Sequence, residues 1–207
     1  MTSEHTRKEI VDFGKMLYQK GLTVGTAGNI SAMAGKDTIL ITPSGTCKGM
    51  LSEDQMVTVS IKDGEVLHGG RPSIETPFHL AFYRARPEVR AVIHTHPVYC
   101  TALAVNGLKI QPALTPEGLM VLGRDVPLVP YATPGTDDLA HVLSEALKTS
   151  DAFLLEKHGA ITVGRNMTEA FHRMETLEFM AQLQFNLQAL GKAEPLPDDE
   201  VDRILKK

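Results

Sequence analysis

Apolar side chains recur at Ile10, Phe13, Leu17 and Tyr18, the spacing of one helix face, and Gly21 closes the helix this predicts over residues 3–20. The period then shortens. Runs at 29–33, 37–42, 57–61 and 65–67 read as strands, the last two joined by Lys62-Asp63-Gly64, whose Asp-Gly step is a hairpin turn. Thr76-Pro77 reads as an N-cap and first helical residue, opening a helix to about residue 86. Residues 89–95 form a buried strand, 98–104 a short helix and 126–131 another strand, before a helix capped by Thr136 that begins Asp137-Asp138. Strands at 152–155 and 160–163 flank a tight Lys157-His158-Gly159 junction. From 168 to 190 the stripe Ala170, Phe171, Met174, Leu177, Met180, Leu183, Leu187 and Leu190 marks a long helix.

No repeat, low-complexity segment or shift in composition divides the chain, so the expectation is one α/β domain over residues 1–207. From residue 192 onward the chain is a polar tail, free to move or to dock on a neighbour. With 207 residues, 43% of them hydrophobic and 22% charged, it can bury a core and is not a disordered polymer. The net charge of −4 comes with no basic run longer than two, which argues against nucleic acid as a partner. No apolar run approaches the roughly 20 residues that span a bilayer, and the N-terminus lacks the apolar core of a secretory signal. No membrane partner is expected. Two cysteines make no disulfide framework, so a reducing cytoplasm is the expected location.

The segment AVIHTHPVYC sets His94 and His96 at the end of an apolar strand, where residues i and i+2 share a face. His158 ends a second apolar strand. Three neutral imidazoles at rigid strand ends, with one side left open, suit a catalytic zinc ion. HxH alone is a weak signal, and the alternative is that these histidines line a loop or pack in the core. His5, His68, His79, His141 and His172 lack such a setting and read as surface or helix-packing residues.

In RPSIETPFHLAFY, Glu75 and Ser73 lie just before the predicted helix start. Two readings stay open: local capping groups, or a general acid/base at Glu75 beside a bound substrate. Two glycine-containing turns, Gly25-Thr26-Ala27-Gly28-Asn29 and Thr42-Pro43-Ser44-Gly45-Thr46, expose backbone N–H groups and small hydroxyls that could cradle a phosphate. Turn formation alone would explain either one. Neither is a nucleotide-binding loop.

In order, GTAGNIS, ITPSG, RPSIE, HTHP, EKHGAI and the long helix resemble the class II aldolase/adducin-head family, which includes L-fuculose-1-phosphate aldolase and L-ribulose-5-phosphate 4-epimerase. Each motif is modest alone; the ordered set is specific and covers nearly the whole chain. The resemblance implies a three-layer α/β/α sandwich with a central, largely antiparallel sheet. It also implies a C4 homotetramer with active sites at subunit interfaces. Zinc, or another divalent metal, would be held by His94, His96 and His158, with Glu75 as catalytic acid/base. The phosphate site maps onto Thr26, Gly28, Asn29, Ser44, Gly45 and Ser73.

The implied activity is zinc-dependent cleavage of a ketose 1-phosphate such as L-fuculose 1-phosphate to dihydroxyacetone phosphate and an aldehyde, through a metal-stabilised enediolate. The alternatives on this scaffold are a pentulose-phosphate 4-epimerase, a methylthioribulose-phosphate dehydratase and a sugar-acid phosphate decarboxylase. A non-catalytic adducin-head-like assembly module is the remote one, disfavoured by the intact histidines and Glu75. Two departures stand out. Ile74 replaces a second phosphate-binding serine of fuculose phosphate aldolases, and Pro116 falls near the position of their tyrosine at the aldehyde, with Glu117 beside it.

Overall fold

The computed structural model describes residues 3–143, 146–192 and 194–206; Met1 and Lys207, the ends of the expected domain, and position 193 of the expected tail lie outside the described residues. Its strands are β1 (Asn29–Met33), β2 (Thr38–Ile41), β3 (Val57–Ser60), β4 (Val66–His68), β5 (Ala91–Thr95), β6 (Leu128–Val129), β7 (Ala152–Leu155) and β8 (Gly159–Gly164). They form one sheet in the order β4-β3-β2-β1-β5-β8-β7-β6. Every neighbouring pair is antiparallel except β6 with β7. The helices are α1 (Ser3–Gln19), α2 (Thr76–Ala85), α3 (Val98–Val105), α4 (Pro116–Leu122), α5 (Asp137–Leu143), α6 (Met167–Ala189) and α7 (Asp198–Leu205).

Alternation along the strands builds two cores. Ile30, Leu40, Ile93 and Leu154 point to one face and pack with Ile10 and Leu17 of α1, Leu103 of α3, Leu122 of α4 and Met174 and Leu177 of α6. Ile39, Ile41, Val92, Phe153 and Ile161 point to the other and meet Phe78 and Phe82 of α2 and Leu139 and Leu143 of α5. Both faces are covered, which makes the three-layer α/β/α sandwich expected above and explains why central strands read as unbroken apolar runs. Each fully buried Leu, Ile or Phe contributes about 1.5–3 kcal/mol of transfer free energy.

Three elements differ from expectation. The strand over 126–131 shrinks to the two residues of β6, in parallel with β7. Helix α4 was not anticipated, although Thr115 accepts from the Gly118 N–H as N-cap, Pro116 opens the helix and Gly123 ends it at φ 77. The expected tail is part of the fold: Val201 of α7 is buried, and Arg124 pairs with Asp198 and Asp202. Among the described residues, no helix is long and apolar enough to cross a membrane.

Candidate metal centre

Strand β5 ends beside the β7–β8 junction, with Thr95 opposite Ala160 and Leu155 opposite Gly159. His94 and His96 therefore meet His158 at one end of the sheet. One ring nitrogen from each lies within 4.8 Å of the other two. The junction is tight for a reason: Lys157 adopts φ 56, and a Cβ on Gly159 would sit 2.5 Å from His96 Cδ2 and 2.6 Å from the Thr95 carbonyl. Gly28, at φ 74, does the same for the first glycine turn, where a Cβ would stand 2.5 Å from the His94 carbonyl oxygen.

The protonation states suit a cation. His94 is fully buried, and its Nδ1 lies 2.9 Å from the Ala160 carbonyl, an acceptor only, so Nδ1 carries the hydrogen and Nε2 presents a lone pair. Burial, and then the neighbouring histidines, push His94 well below the ordinary imidazole range; burial also lowers His96 and His158. His94 Nε2 lies 2.9 Å from His96 Nε2 and 3.3 Å from Glu75 Oε2, and His158 Nε2 lies 3.4 Å from Glu75 Oε1. The bare His94 Nε2 and the Glu75 carboxylate thus present lone pairs to the same point, as ligands of a cation do. The donor set, three imidazoles with a carboxylate alongside, fits a divalent cation such as zinc.

Glu75 is not a capping group. It is the residue preceding α2, yet its side chain makes no cap hydrogen bond. The expected cap, Thr76, is instead the first helical residue, and its hydroxyl donates to the Ser73 carbonyl at 2.6 Å. The Glu75 carboxylate, 6% exposed, turns toward the histidines. Oε2 accepts from Asn29 Nδ2 at 2.7 Å, while Oε1 is buried with no hydrogen-bond partner.

The glycine turns and the Ser73 segment come together next to this cluster. The Ser44 N–H donates to the Arg71 carbonyl, the Ser73 N–H to the Thr42 carbonyl and the Glu75 N–H to Ser73 Oγ. Thr26, Ser44 and Gly45 are exposed, Gly28 is half-buried and Ser73 is buried. Asn29 departs from this group. Its amide, expected in the phosphate site, points inward, donating to Glu75 and contacting His79 Nε2 at 2.5 Å.

Lys48 was not singled out in the sequence and is 1% exposed. Its ammonium donates to the Thr26 carbonyl at 3.1 Å and the Thr46 carbonyl at 2.5 Å, tying the two turns together, and burial lowers its pKa to about 8. One lysine among many carries no sequence signal for this. Glu117, by contrast, lies on α4 and lines a groove with Val121, His172, Glu175 and Phe179.

Known proteins agree with the geometry. The profile of the Class II Aldolase and Adducin N-terminal domain matches residues 8–185. A 3-oxo-tetronate 4-phosphate decarboxylase of Pectobacterium atrosepticum is 40% identical over 190 residues, 90% of this chain and 86% of that protein. A 5-deoxy-D-ribulose 1-phosphate aldolase of Bacillus thuringiensis is 36% identical over 209 residues, 100% of this chain and 97% of that protein. The crystal structure of YgbL from Escherichia coli, described as an aldolase/epimerase/decarboxylase, superposes with a TM-score of 0.91 at 36% identity, covering 98% of both chains. With the fold, the ordered motifs and a metal-binding histidine triad in accord, the chain belongs to the class II aldolase and adducin N-terminal domain family, as one of its metal-dependent enzymes.

Proposed function

We propose that this enzyme decarboxylates a 3-oxo sugar-acid phosphate of the 3-oxo-tetronate 4-phosphate type, giving carbon dioxide and dihydroxyacetone phosphate. The observation that carries the reading is the 40% identity, over nine-tenths of the chain, to a decarboxylase of that substrate. It displaces the aldol cleavage expected first from the sequence and favours one of the alternatives on the same scaffold.

The chemistry of the site is compatible. His94, His96 and His158 hold the divalent cation, taken here to be zinc. When bound, the cation supplies Lewis-acid polarisation of the substrate ketone and its neighbouring hydroxyl. Thr26, Gly28, Ser44, Gly45 and Ser73 bind the phosphate through backbone N–H and hydroxyl groups. The bond from the carboxylate carbon to C2 breaks, carbon dioxide leaves, and the electron pair passes to the ketone oxygen. Glu75 then delivers a proton to C2 and regains one from water.

Aldol cleavage asks for more. The hydroxyl of the departing aldehyde must lose a proton, which calls for a second base, whereas an ionised carboxylate leaves as carbon dioxide with no proton to remove. The segment 111–125 has no tyrosine to serve as that base, and Pro116 at its expected position begins α4. Ketose 1-phosphate aldolysis remains the second reading because the Bacillus thuringiensis aldolase matches this chain end to end.

Exposed apolar side chains beside the candidate phosphate turns, Val24, Met50 and Ile74, support an assembly in which another copy covers this surface, taken to be the homotetramer the family resemblance implies. Incubation of metal-loaded protein with 3-oxo-tetronate 4-phosphate and, separately, with ketose 1-phosphates decides the reaction. Carbon dioxide with dihydroxyacetone phosphate from the first substrate supports decarboxylation. An aldehyde from the second, with no turnover of the first, replaces it with aldol cleavage.

A further inference from the structure

Behind Glu75 lies a run of buried polar side chains that metal binding does not use. Asn29 Nδ2 is 2.7 Å from Glu75 Oε2, His79 Nε2 is 2.5 Å from Asn29 Oδ1, and Ser31 Oγ is 2.7 Å from His79 Nδ1 and 2.8 Å from the Tyr83 hydroxyl. Each of these residues is buried, and His79 and Ser31 are fully so. They sit where the fold brings β1 under α2: Asn29 and Ser31 are alternate residues on one face of the strand, and His79 and Tyr83 are one turn apart on the helix.

Hydrogen-bond directions in this run are determined. Asn29 donates its NH2 to Glu75 and turns its carbonyl, an acceptor only, to His79. His79 must then carry its hydrogen on Nε2. Burial drives His79 well below the ordinary imidazole range, so it is neutral, and Nδ1 is left to accept from the Ser31 hydroxyl. Ser31 Oγ in turn accepts from Tyr83, whose ionisation burial pushes far up. Every donor points toward Glu75.

We propose that Tyr83, Ser31, His79 and Asn29 form a one-way chain of donors that commits Glu75 Oε2 as an acceptor and fixes the carboxylate with Oε1 turned toward the His158 side of the cluster. Oε1 is the carboxylate atom buried with no hydrogen-bond partner, on the His158 side of the cluster. The four residues are positioning residues: they hold the carboxylate in one rotamer through Asn29. The inference rests on Glu75 being the acid/base of the proposed reaction.

The test combines spectroscopy with a pair of near-isosteric variants. Nitrogen-15 NMR of histidine-labelled full-length protein should show His79 with Nε2 protonated and Nδ1 bare, the opposite tautomer from His94. His79→Gln places its amide nitrogen near the Nε2 position and can still donate to Asn29, so kcat should stay within about 10-fold of wild type. His79→Asn reaches only the Nδ1 position and strands Asn29, so kcat should fall about 100-fold with KM and bound metal unchanged. An Nδ1-protonated His79, or equal kcat values for the two variants, overturns the chain. The NMR result stands even where a variant does not fold. Glu75→Gln run in parallel separates the two readings: if it retains wild-type turnover, the acid/base assignment fails, whereas an inactive Glu75→Gln beside unaffected His79 variants removes the donor chain alone.

Discussion

The two ends of the central sheet are both rich in charge, and they treat it in opposite ways. Where β5 and β7 begin, Asp151 gives one oxygen to Arg86 and the other to Arg173, each at 2.7 Å. Arg86 also pairs with Glu88 and donates to the Ser150 carbonyl, and Arg173 donates to the Val163 carbonyl. Those arginines line a surface cleft, yet their donors are spent on neighbouring carboxylates and backbone carbonyls. Where β5 ends and β8 begins, three buried atoms, Glu75 Oε1, Thr95 Oγ1 and His158 Nδ1, have no hydrogen-bond partner. Leaving a polar group buried and unpaired costs about 1–3 kcal/mol, so a fold tolerates it where something else recovers the cost. Paired charge at one end holds the sandwich together, whereas the other end leaves polar atoms without a protein partner beside the histidine cluster.

The contrast predicts opposite consequences for carboxylate-to-amide changes at the two ends. Glu75→Gln should lower turnover by about 10²–10⁴-fold while the bound metal and the urea midpoint stay near wild type, read by steady-state kinetics and metal analysis. Asp151→Asn should do the reverse. It leaves two guanidiniums short of their carboxylate and should cost about 1–3 kcal/mol in urea unfolding, with kcat of the folded protein unchanged. If Asp151→Asn lowered kcat as much as Glu75→Gln, the division of labour between the two ends would be wrong.

Lys48 supplies the smallest and most specific effect. Its ammonium is buried near the active end without a hydrogen-bonded carboxylate, and its pKa falls from 10.5 to about 8. Below pH 8 the folded and unfolded chains both carry this proton, and the cost of burying it is felt in full. Between about pH 8 and 10.5 the unfolded chain holds the proton that the folded one has released, so stability rises with pH in that window. The wild-type urea midpoint should therefore rise relative to Lys48→Met from pH 8 to pH 10. A difference that stays flat over this range would show that the ammonium pays no desolvation penalty.

Much of the metal centre was legible in the chain because its ligands sit at places local rules mark. His94 and His96 are i and i+2 on a strand, and His158 occupies a junction between two apolar runs. The role of Glu75 is ambiguous in sequence for a good reason: a glutamate before Thr-Pro satisfies capping rules as well as catalytic ones, and only the fold shows its side chain turned to the histidines rather than capping the helix. His79 reads as a surface or helix-packing residue, since it lacks the strand-end setting of His94, His96 and His158. Its hydrogen-bond partners lie 48 and 50 residues away in sequence. Helix α4 was missed although Thr115-Pro116 repeats the pattern that marked Thr76-Pro77, because the short segment carries less than two turns of periodicity.

The order of strands and helices, the two buried faces and the ligand-type residues follow from local propensity, alternation and side-chain chemistry, all written in neighbouring residues. What required the folded chain is every relation between segments distant in sequence: β1 beside β5, which sets Asn29 opposite His94; α2 over β1, which joins His79 to Asn29; and Lys48 pinning two turns. Those relations arise when separate apolar faces are buried in a common core, and polar groups carried along with them must then find partners or remain unpaired.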